Sequence, residues 1–374
     1  MPSMQKNSHR IHINDVGVRD GFQIEKTIIP TETKISVIDQ LTATGLAKVE
    51  VTSFVHPKLV PNMTDAEVVL REIVRREGVL ITAITPNIKG MERAIAVHTS
   101  GGRIDEMNLF MSASETHNMA NVKRSTSESL ADFTLMVPMA KAAGIKLNGC
   151  VSTSFGCPFE GRVDEARVMG FAEQYLQIGF DSLTFADTTG MANPTQVGRM
   201  MRDAKHRFPD VEITLHFHNT RGMGLANVLA GISEGITSFD SSIAGLGGCP
   251  FAPGATGNIC TEDLVNMLDD MGIESGVDID RLLAVAVKIP SIVGHEVPGQ
   301  VMKAGKTMHL HQIPPQLYTG VCQESCPRFE TATATLSGDL RCSRGGLSHT
   351  SLMRSQLRVC LDFHRPGLPH LAAS

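Results

Sequence analysis

The chain has 374 residues, of which 42% are hydrophobic and 20% charged, a composition typical of one large globular domain or two modest ones. Its formal net charge of −5 and lack of a basic run argue against a nucleic-acid-binding protein, and no segment approaches the roughly eighteen apolar residues of a membrane span. Eight cysteines at irregular spacings form no disulfide framework, so we expect a reducing, cytoplasmic setting without nucleic-acid or membrane partners.

Eight short apolar runs alternate with amphipathic stretches of helix length. The predicted strands are Ile11–Gly17, Lys48–Ser53, Leu80–Thr85, Glu106–Ser112, Lys146–Ser152, Ser182–Asp187, Glu212–Asn219 and Ser238–Ala244. The predicted helices include Thr31–Thr44, Thr64–Arg75, Ser127–Ala143, Val163–Gln177, Pro194–His206 and Leu225–Glu234. The residues Gly45, Gly144, Gly179 and Gly235 follow four of these helices, as C-cap glycines do.

Eight strand-then-helix units in about 260 residues predict an α/β fold of the TIM-barrel type, (β/α)8, with a C-terminal helical and irregular extension. A doubly wound open sheet is the second candidate, but no Gly-x-Gly-x-x-Gly motif follows the first strand. We expect an N-terminal arm at residues 1–10 and the catalytic barrel at 11–273. A helical segment at 274–306 should pack on the barrel. Residues 307–374 have prolines and no clean periodicity, which predicts a poorly ordered tail.

Barrel active sites use residues at the carboxyl ends of strands and in the loops beyond them. The unusual polar residues mostly fall there: Arg19, Asp20, Asp187, His216 and His218, with Glu50 a little before the end of its strand. The eighth strand leads into a glycine-rich loop, residues 245–254. The sequence therefore places these residues on one face of one barrel.

His216 and His218 are two residues apart in a predicted strand, where positions i and i+2 point to the same side. Two imidazoles, the carboxylate of Asp20 and the amide oxygen of Asn258 suit a divalent cation with open positions, Mg²⁺ or Mn²⁺. The alternative is that these residues have ordinary structural roles. The histidines would then be ordinary polar residues, Asn258 would cap a helix, and Asp20 would belong to a simple turn.

Cys249 lies in the glycine-rich loop, preceded by glycine and followed by proline. A structural cysteine is usually packed among apolar side chains. A thiol on a loop beside a metal site is suited to proton transfer if neighbours shift its pKa. From residue context alone, a packing role and a catalytic role are both open.

Five motifs together carry a resemblance to a known family: Val18–Gln23, Glu50–Val55, Phe185–Gly190, His216–Thr220 and Gly245–Phe251. In this order they resemble the 3-hydroxy-3-methylglutaryl-CoA lyase family, part of the metal-dependent lyase and Claisen-synthase superfamily of TIM barrels. The resemblance extends from about Val16 to Gly305. It implies an enzyme that cleaves 3-hydroxy-3-methylglutaryl-CoA to acetyl-CoA and acetoacetate, a reaction of leucine degradation and ketone-body metabolism.

The resemblance also implies one Mg²⁺ or Mn²⁺ ion, no organic cofactor beyond the coenzyme A of the substrate, and a homodimer. It implies that the metal ligands are Asp20, His216, His218 and Asn258. Arg19 stabilises the enolate and Cys249 protonates the carbanion, while His216 and Asp20 are candidates for the base. Further catalytic residues are expected at Glu50 and Glu262, and substrate contacts at Gln23, Phe22, Thr184 and Asp187.

Two residues depart from the family pattern: Phe22 replaces a leucine, and Asn219 replaces an aspartate after the second histidine. Citramalyl-CoA and a longer 3-substituted glutaryl-CoA are therefore alternative substrates. A condensing synthase is a further candidate, against which the glycine-flanked Cys249 argues. A catalytically silent paralogue is disfavoured because the catalytic positions are filled. A zinc clip in the tail would use Cys322, Cys326, Cys342 and His349, but their spacing is irregular.

Overall fold

Eight parallel strands close into a barrel in chain order, with the last strand paired to the first. The computed structural model describes residues 10–248, 257–310 and 312. The strands are β1 His12–Asp15, β2 Lys48–Ser53, β3 Leu80–Ile84, β4 Glu106–Ser112, β5 Lys146–Ser152, β6 Ser182–Asp187, β7 Glu212–Phe217 and β8 Ser238–Ser241. The predicted TIM barrel is confirmed, and the open sheet is excluded by the pairing of β8 with β1.

Helices follow every strand and surround the barrel. They are α1 Thr31–Thr42, α2 Ala66–Glu72, α3 Ile88–Thr99, α4 Glu115–Val122, α5 Thr126–Ala142, α6 Glu165–Ile178, α7 Pro194–Arg207, α8 Gly224–Ser233, α9 Thr261–Asp270, α10 Ile279–Ala286, α11 Ile289–Val293 and α12 Val301–Ala304. The short helix α4 is an insertion between β4 and the barrel helix α5. Gly45, Gly144, Gly179 and Gly235 have positive φ angles, so the predicted helix ends are confirmed.

The strands β1, β7 and β8 end earlier than predicted, and each early end lies beside the candidate site. After β1 the chain turns into a π-helix at Gly17–Gly21. β7 ends at Phe217, which leaves His218 just beyond the strand, and β8 is followed by a 3₁₀ turn at Ile243–Gly245. Local alternation of residues does not reveal these turns, because they depend on contacts between distant loops.

The two faces of the strands differ in chemistry. The outward positions are apolar and pack against the helices: Ile13, Val49, Ile81, Met107, Leu147, Leu183, Ile213 and Phe239. The neighbouring positions, which line the barrel interior, are polar: Asn14, Lys48, Thr82, Asn108, Asn148, Thr184, Thr214 and Asp240. TIM-barrel interiors are usually filled by branched apolar side chains. In this barrel the hydrophobic core lies between the strands and the helices, and the interior is polar and hydrogen-bonded.

The segment after the barrel adds three short helices to one side. Helix α10 contacts α1 and α9, and α12 contacts α9. The described residues as far as Leu310 belong to one compact unit. Within the described part of the chain, no helix is long and apolar enough to cross a membrane. Of the predicted tail, residues 307–310 and 312 are described, and the Thr307 hydroxyl donates to Asp270 on α9. The remainder of the tail, with the zinc-clip cysteines, lies outside the described residues.

Candidate metal and catalytic site

Asp20, His216 and His218 meet at the carboxyl end of the barrel. Their potential ligand atoms all lie within 4.8 Å of one another, and the two imidazole rings are 5.2 Å apart between centroids. The three side chains are almost completely buried. The structure therefore brings together the carboxylate and the two histidines that the sequence predicted as metal ligands.

Asn258 completes this cluster. Its Nδ2 donates to Asp20 Oδ2 at 2.7 Å and to the carbonyl of Leu246 at 3.0 Å, and its backbone bridges to His218. The remaining Oδ1 is buried without a hydrogen-bond partner among the described residues. An unpaired buried carbonyl is unfavourable unless something binds it, and one carboxylate, one amide oxygen and two imidazoles fit a divalent cation. Asn258 does not cap α9, which begins after Cys260.

Asp240 orients one of the histidines. Its Oδ2 lies 3.2 Å from His216 Nδ1, and the two residues are register partners on β7 and β8. Although burial lowers the pKa of His216, hydrogen bonding and charge from Asp240 raise it above its ordinary value. Carboxylates that hold the second nitrogen of a metal-binding histidine fix its tautomer and ring orientation. Sequence reasoning missed Asp240, although its register opposite His216 on the next strand was a usable signal.

Arg19 lies beside the metal cluster on the π-helix. Its Nε donates to Glu50 Oε1, and its Nη1 donates to Asp20 Oδ1 at 2.7 Å. Burial lowers the pKa of Arg19, but the charges of Glu50 and Asp20 outweigh this effect and raise the pKa. Its hydrogen bonds to described residues use Nε and Nη1, so Nη2 is available to a substrate oxygen. Single π-turns are rare and are frequently found at functional sites.

Burial and charge act in opposite directions on Asp20. Burial raises the pKa of its carboxyl group, while Arg19 and the two histidines lower it, and the net pKa is below the ordinary value. Asp20 is therefore ionised across the neutral range. A carboxylate with a depressed pKa is a good ligand and a poor proton acceptor, which argues against Asp20 as the catalytic base.

Two predicted substrate contacts, Gln23 and Phe22, lie after β1 in different surroundings. Gln23 is half-buried, and its Nε2 donates to Asp20 Oδ1 at 3.3 Å. Phe22 is completely buried within the hydrophobic core. This burial gives Phe22 a packing role, and its expected contact with the substrate stays a prediction.

Thr184 and Asp187 on β6 are both buried and already hydrogen-bonded. The Thr184 hydroxyl accepts from Asn148 Nδ2 at 2.9 Å in the barrel interior. The Asp187 oxygens accept from the backbone of Met191 and Ala192 at 2.8 and 3.1 Å, and burial raises the pKa of this carboxyl to about 6. Thr184 therefore supports the interior and Asp187 holds the loop after β6, while their expected contacts with a substrate stay predictions.

Glu262 is buried apart from the metal cluster. Its Oε2 accepts from the backbone of Ala244 at 3.0 Å, which holds the 3₁₀ turn after β8, and burial raises its pKa to about 7. No hydrogen bond joins it to Asn258 within the described residues, and its expected catalytic role stays a prediction. Glu262 supports the start of the loop that carries Cys249, and Cys249 itself lies outside the described residues.

Asp15 is a second residue that sequence reasoning missed. It is fully buried at the end of β1, and its carboxylate accepts from Gly17 N at 2.8 Å and from the Thr261 hydroxyl at 2.7 Å. Burial raises its pKa to about 6. By joining the π-helix to the first residue of α9, Asp15 sets the position of Asp20 relative to Asn258.

Gly247 approaches the metal cluster so closely that a side chain would not fit. A Cβ at Gly247 would lie 2.5 Å from Asn258 Nδ2 and 2.9 Å from Asp20 Oδ2, and the residue has a φ of +104°. We expect Gly247→Ala to weaken Mn²⁺ binding by at least about tenfold, since it displaces two predicted ligands. Isothermal titration with Mn²⁺ measures the effect. Gly144→Ala is the matched control, because Gly144 has a φ of +79° with open space around it; equal affinities in the two variants would contradict this account.

The comparisons with known proteins agree with this geometry. The HMGL-like family model matches residues 10–289. A Bacillus subtilis hydroxymethylglutaryl-CoA lyase is 43% identical over 298 residues, covering 80% of this chain and 98% of that protein. An (R)-citramalyl-CoA lyase from Chloroflexus aurantiacus is 39% identical, covering 79% of this chain and 95% of that protein. The structure of an HMG-CoA lyase from Acinetobacter baumannii, in complex with coenzyme A and 3-methylmalate, is 45% identical with a TM-score of 0.78, covering 83% of this chain and 100% of that chain.

Proposed function

The chain belongs to the HMGL-like family, and from this premise we propose that it is a divalent-metal-dependent carbon–carbon lyase that cleaves 3-hydroxy-3-methylglutaryl-CoA to acetyl-CoA and acetoacetate. The observation that carries the proposal is the cluster of Asp20, His216, His218 and Asn258 beside Arg19. An acyl-CoA substrate agrees with the coenzyme A bound in the related structure.

The surroundings of two departures from the family pattern give no reason to prefer citramalyl-CoA. Phe22 is a core residue, so its ring has no direct contact through which to reshape the acyl pocket. Asn219 accepts from Gly224 N through its Oδ1 at 3.0 Å, a role that an aspartate oxygen would fill equally well. Both departures are thus accommodated by local packing and a turn, so neither departure argues against 3-hydroxy-3-methylglutaryl-CoA as the substrate.

The family is divalent-metal dependent, and Asp20, His216, His218 and Asn258 are the residues that would hold the ion. A bound Mg²⁺ or Mn²⁺ would supply Lewis-acid chemistry, which makes a substrate hydroxyl more acidic and orients it. Asp240 fixes the ring of His216 for this purpose, and Arg19 and Gln23 hold Oδ1 of Asp20. The unpartnered oxygen of Asn258 supports its role as a ligand.

Cleavage breaks the C2–C3 bond of the acyl chain. The C3 hydroxyl gives its proton to a base, for which His216 is the candidate that remains, and C3 becomes the ketone carbon of acetoacetate. The electron pair of the broken bond passes to C2 and the thioester oxygen. Arg19 is held by Glu50 and Asp20 with Nη2 available for this developing negative charge. C2 then takes up a proton to give acetyl-CoA. We assign that proton to Cys249, in keeping with its loop position after the turn that Glu262 holds.

A substrate panel tests the choice of acyl group. We expect kcat/KM for 3-hydroxy-3-methylglutaryl-CoA to exceed that for citramalyl-CoA by about 10-fold or more, since selectivity in such pockets amounts to roughly 10–200-fold. Purified protein with Mg²⁺ is incubated with each thioester, and acetyl-CoA release is measured. Faster cleavage of citramalyl-CoA would replace the proposed substrate, and cleavage of no thioester would support the silent paralogue.

Two further expectations remain proposals: a cytoplasmic setting and a homodimer. The cysteines described are free thiols, Cys150, Cys157 and Cys260, in keeping with a reducing, cytoplasmic setting. A homodimer is proposed from the family resemblance alone. Light scattering coupled to size-exclusion chromatography measures the molar mass, and a value near the 40.3 kDa of one chain would contradict the dimer.

A further inference from the structure

A small polar cavity lies in the barrel interior beneath the candidate site. Its volume is about 20 Å³, and the residues that line it include Asn14, Glu50, Asn108 and Asp240. A cavity of roughly 10–15 Å³ is enough for one water molecule, provided that two to four polar groups bind it. The size and chemistry of this cavity thus suit a single water.

Two atoms on the wall of this cavity need a donor. Asn14 Oδ1 and Asn108 Oδ1 are buried without a hydrogen-bond partner among the described residues, and both side chains line the cavity. An unsatisfied buried acceptor costs about 1–3 kcal/mol. Because both atoms are carbonyl oxygens and a water molecule has two protons to donate, one water within hydrogen-bond distance of both would satisfy both.

The amide nitrogens of the same two side chains donate to carboxylates in two different parts of the site. Asn14 Nδ2 donates to Asp240 Oδ1 at 3.0 Å, and Asp240 in turn holds His216. Asn108 Nδ2 donates to Glu50 Oε2, and Glu50 in turn holds Arg19. One arm therefore ends at a proposed metal ligand, and the other ends at the proposed enolate-binding cation.

We propose that one ordered water in this cavity donates to Asn14 Oδ1 and Asn108 Oδ1 and joins the two arms into one hydrogen-bonded bridge. Asn14 and Asn108 are then positioning residues for His216 and Arg19, a role that rests on the proposed function. A planar amide that is bound at both its nitrogen and its oxygen has its orientation fixed. The water thereby holds the carboxylates of Asp240 and Glu50 indirectly.

The lower end of the cavity needs no further ligand. Lys48 lines it and is already paired with Glu106 and Glu212, each at 3.0 Å. Asn148 also lines it, but its Nδ2 and Oδ1 are already bonded to the hydroxyls of Thr184 and Ser182. Among the asparagines of this cavity, Asn14 and Asn108 are therefore the two whose oxygens lack a described partner.

A double-mutant cycle tests the bridge. Asn14→Val should weaken Mn²⁺ binding by about 10-fold, because it acts through Asp240 on His216. Asn108→Val should lower kcat by about 10-fold while KM changes less than about threefold, because it acts through Glu50 on Arg19. In kcat/KM the double variant should lose clearly less than the product of the two single losses, since the shared water is lost only once. Independent sites would give a product of roughly 100-fold.

The matched control pairs Asn14→Val with Asn148→Val. Asn148 is an asparagine on the same cavity with a satisfied amide, so these two effects should multiply. Multiplicative effects for the Asn14 and Asn108 pair, or unchanged Mn²⁺ affinity in Asn14→Val, would overturn the bridge. Mn²⁺ titration requires no substrate, so it separates failure of this inference from failure of the proposed function.

A crystal structure of the unaltered protein, at a resolution that orders internal waters, tests the bridge even if the valine variants do not fold. We expect one water peak within hydrogen-bond distance of both amide oxygens. A dry cavity, or a water bonded to neither oxygen, would refute the inference.

Discussion

Replacement of Arg19 by lysine is expected to lower kcat by about 10²–10³-fold, the loss typical of one donor to a developing oxyanion. The planar guanidinium of Arg19 binds Glu50 and Asp20 at once and leaves Nη2 available to the substrate. Lysine keeps the positive charge but lacks this planar fork. The ammonium group would instead pair with one of the two carboxylates and be withdrawn from the substrate. Because Arg19 acts on charge that develops during bond cleavage, KM should change much less than kcat.

Steady-state kinetics with 3-hydroxy-3-methylglutaryl-CoA and saturating Mg²⁺ measures this effect. Arg199→Lys is the matched control, since Arg199 is exposed and pairs with Glu165 on the outer helices. The control should retain wild-type kinetics. If Arg19→Lys kept its turnover number, Arg19 would have no part in stabilising the enolate.

Replacement of His218 by alanine is expected to reduce divalent-ion affinity and activity together. The loss should exceed the roughly 10–100-fold that removal of an outer-shell partner costs, since an imidazole ligand itself is removed. His218 belongs to the cluster with Asp20 and His216, in which the potential ligand atoms all lie within 4.8 Å of one another. Excess Mn²⁺ should restore part of the activity, because the other three proposed ligands remain.

Mn²⁺ titration followed by an activity assay over a range of Mn²⁺ concentrations measures both quantities. His12→Ala is the control, since His12 is an exposed histidine at the opposite end of the barrel. Full activity of His218→Ala after exhaustive chelation would remove the metal from the proposed mechanism.

Most of the fold was predictable because each strand and each barrel helix is encoded locally. The bounds of β2, β4, β5 and β6 match the prediction residue for residue, since short runs rich in apolar residues, preceded by glycines, mark them in the sequence. The ends of β1, β7 and β8 were placed too late. Their turns depend on contacts over long sequence distances, such as that between Asp15 and Thr261, which no local pattern encodes.

The residues of the candidate site were predictable to the extent that their chemistry is unusual for their position. Two histidines at i and i+2 and an acidic residue after a strand were visible as a cluster, and the structure brings them together. The supporting residues were harder to recognise, because a buried Asp240 or Asn108 resembles any other polar residue until the strand register gives its neighbours. Phe22 was expected to touch the substrate from its loop position, whereas its complete burial depends on packing that no local pattern encodes.

The central claim is that this protein cleaves 3-hydroxy-3-methylglutaryl-CoA with a bound divalent ion. The most direct test incubates chelator-stripped protein with this thioester, with and without added Mg²⁺, and measures acetyl-CoA and acetoacetate in the same sample. We predict equal amounts of the two products with Mg²⁺ and essentially none without it. Cleavage that is unaffected by chelation, or acetyl-CoA formed without acetoacetate, would contradict the claim.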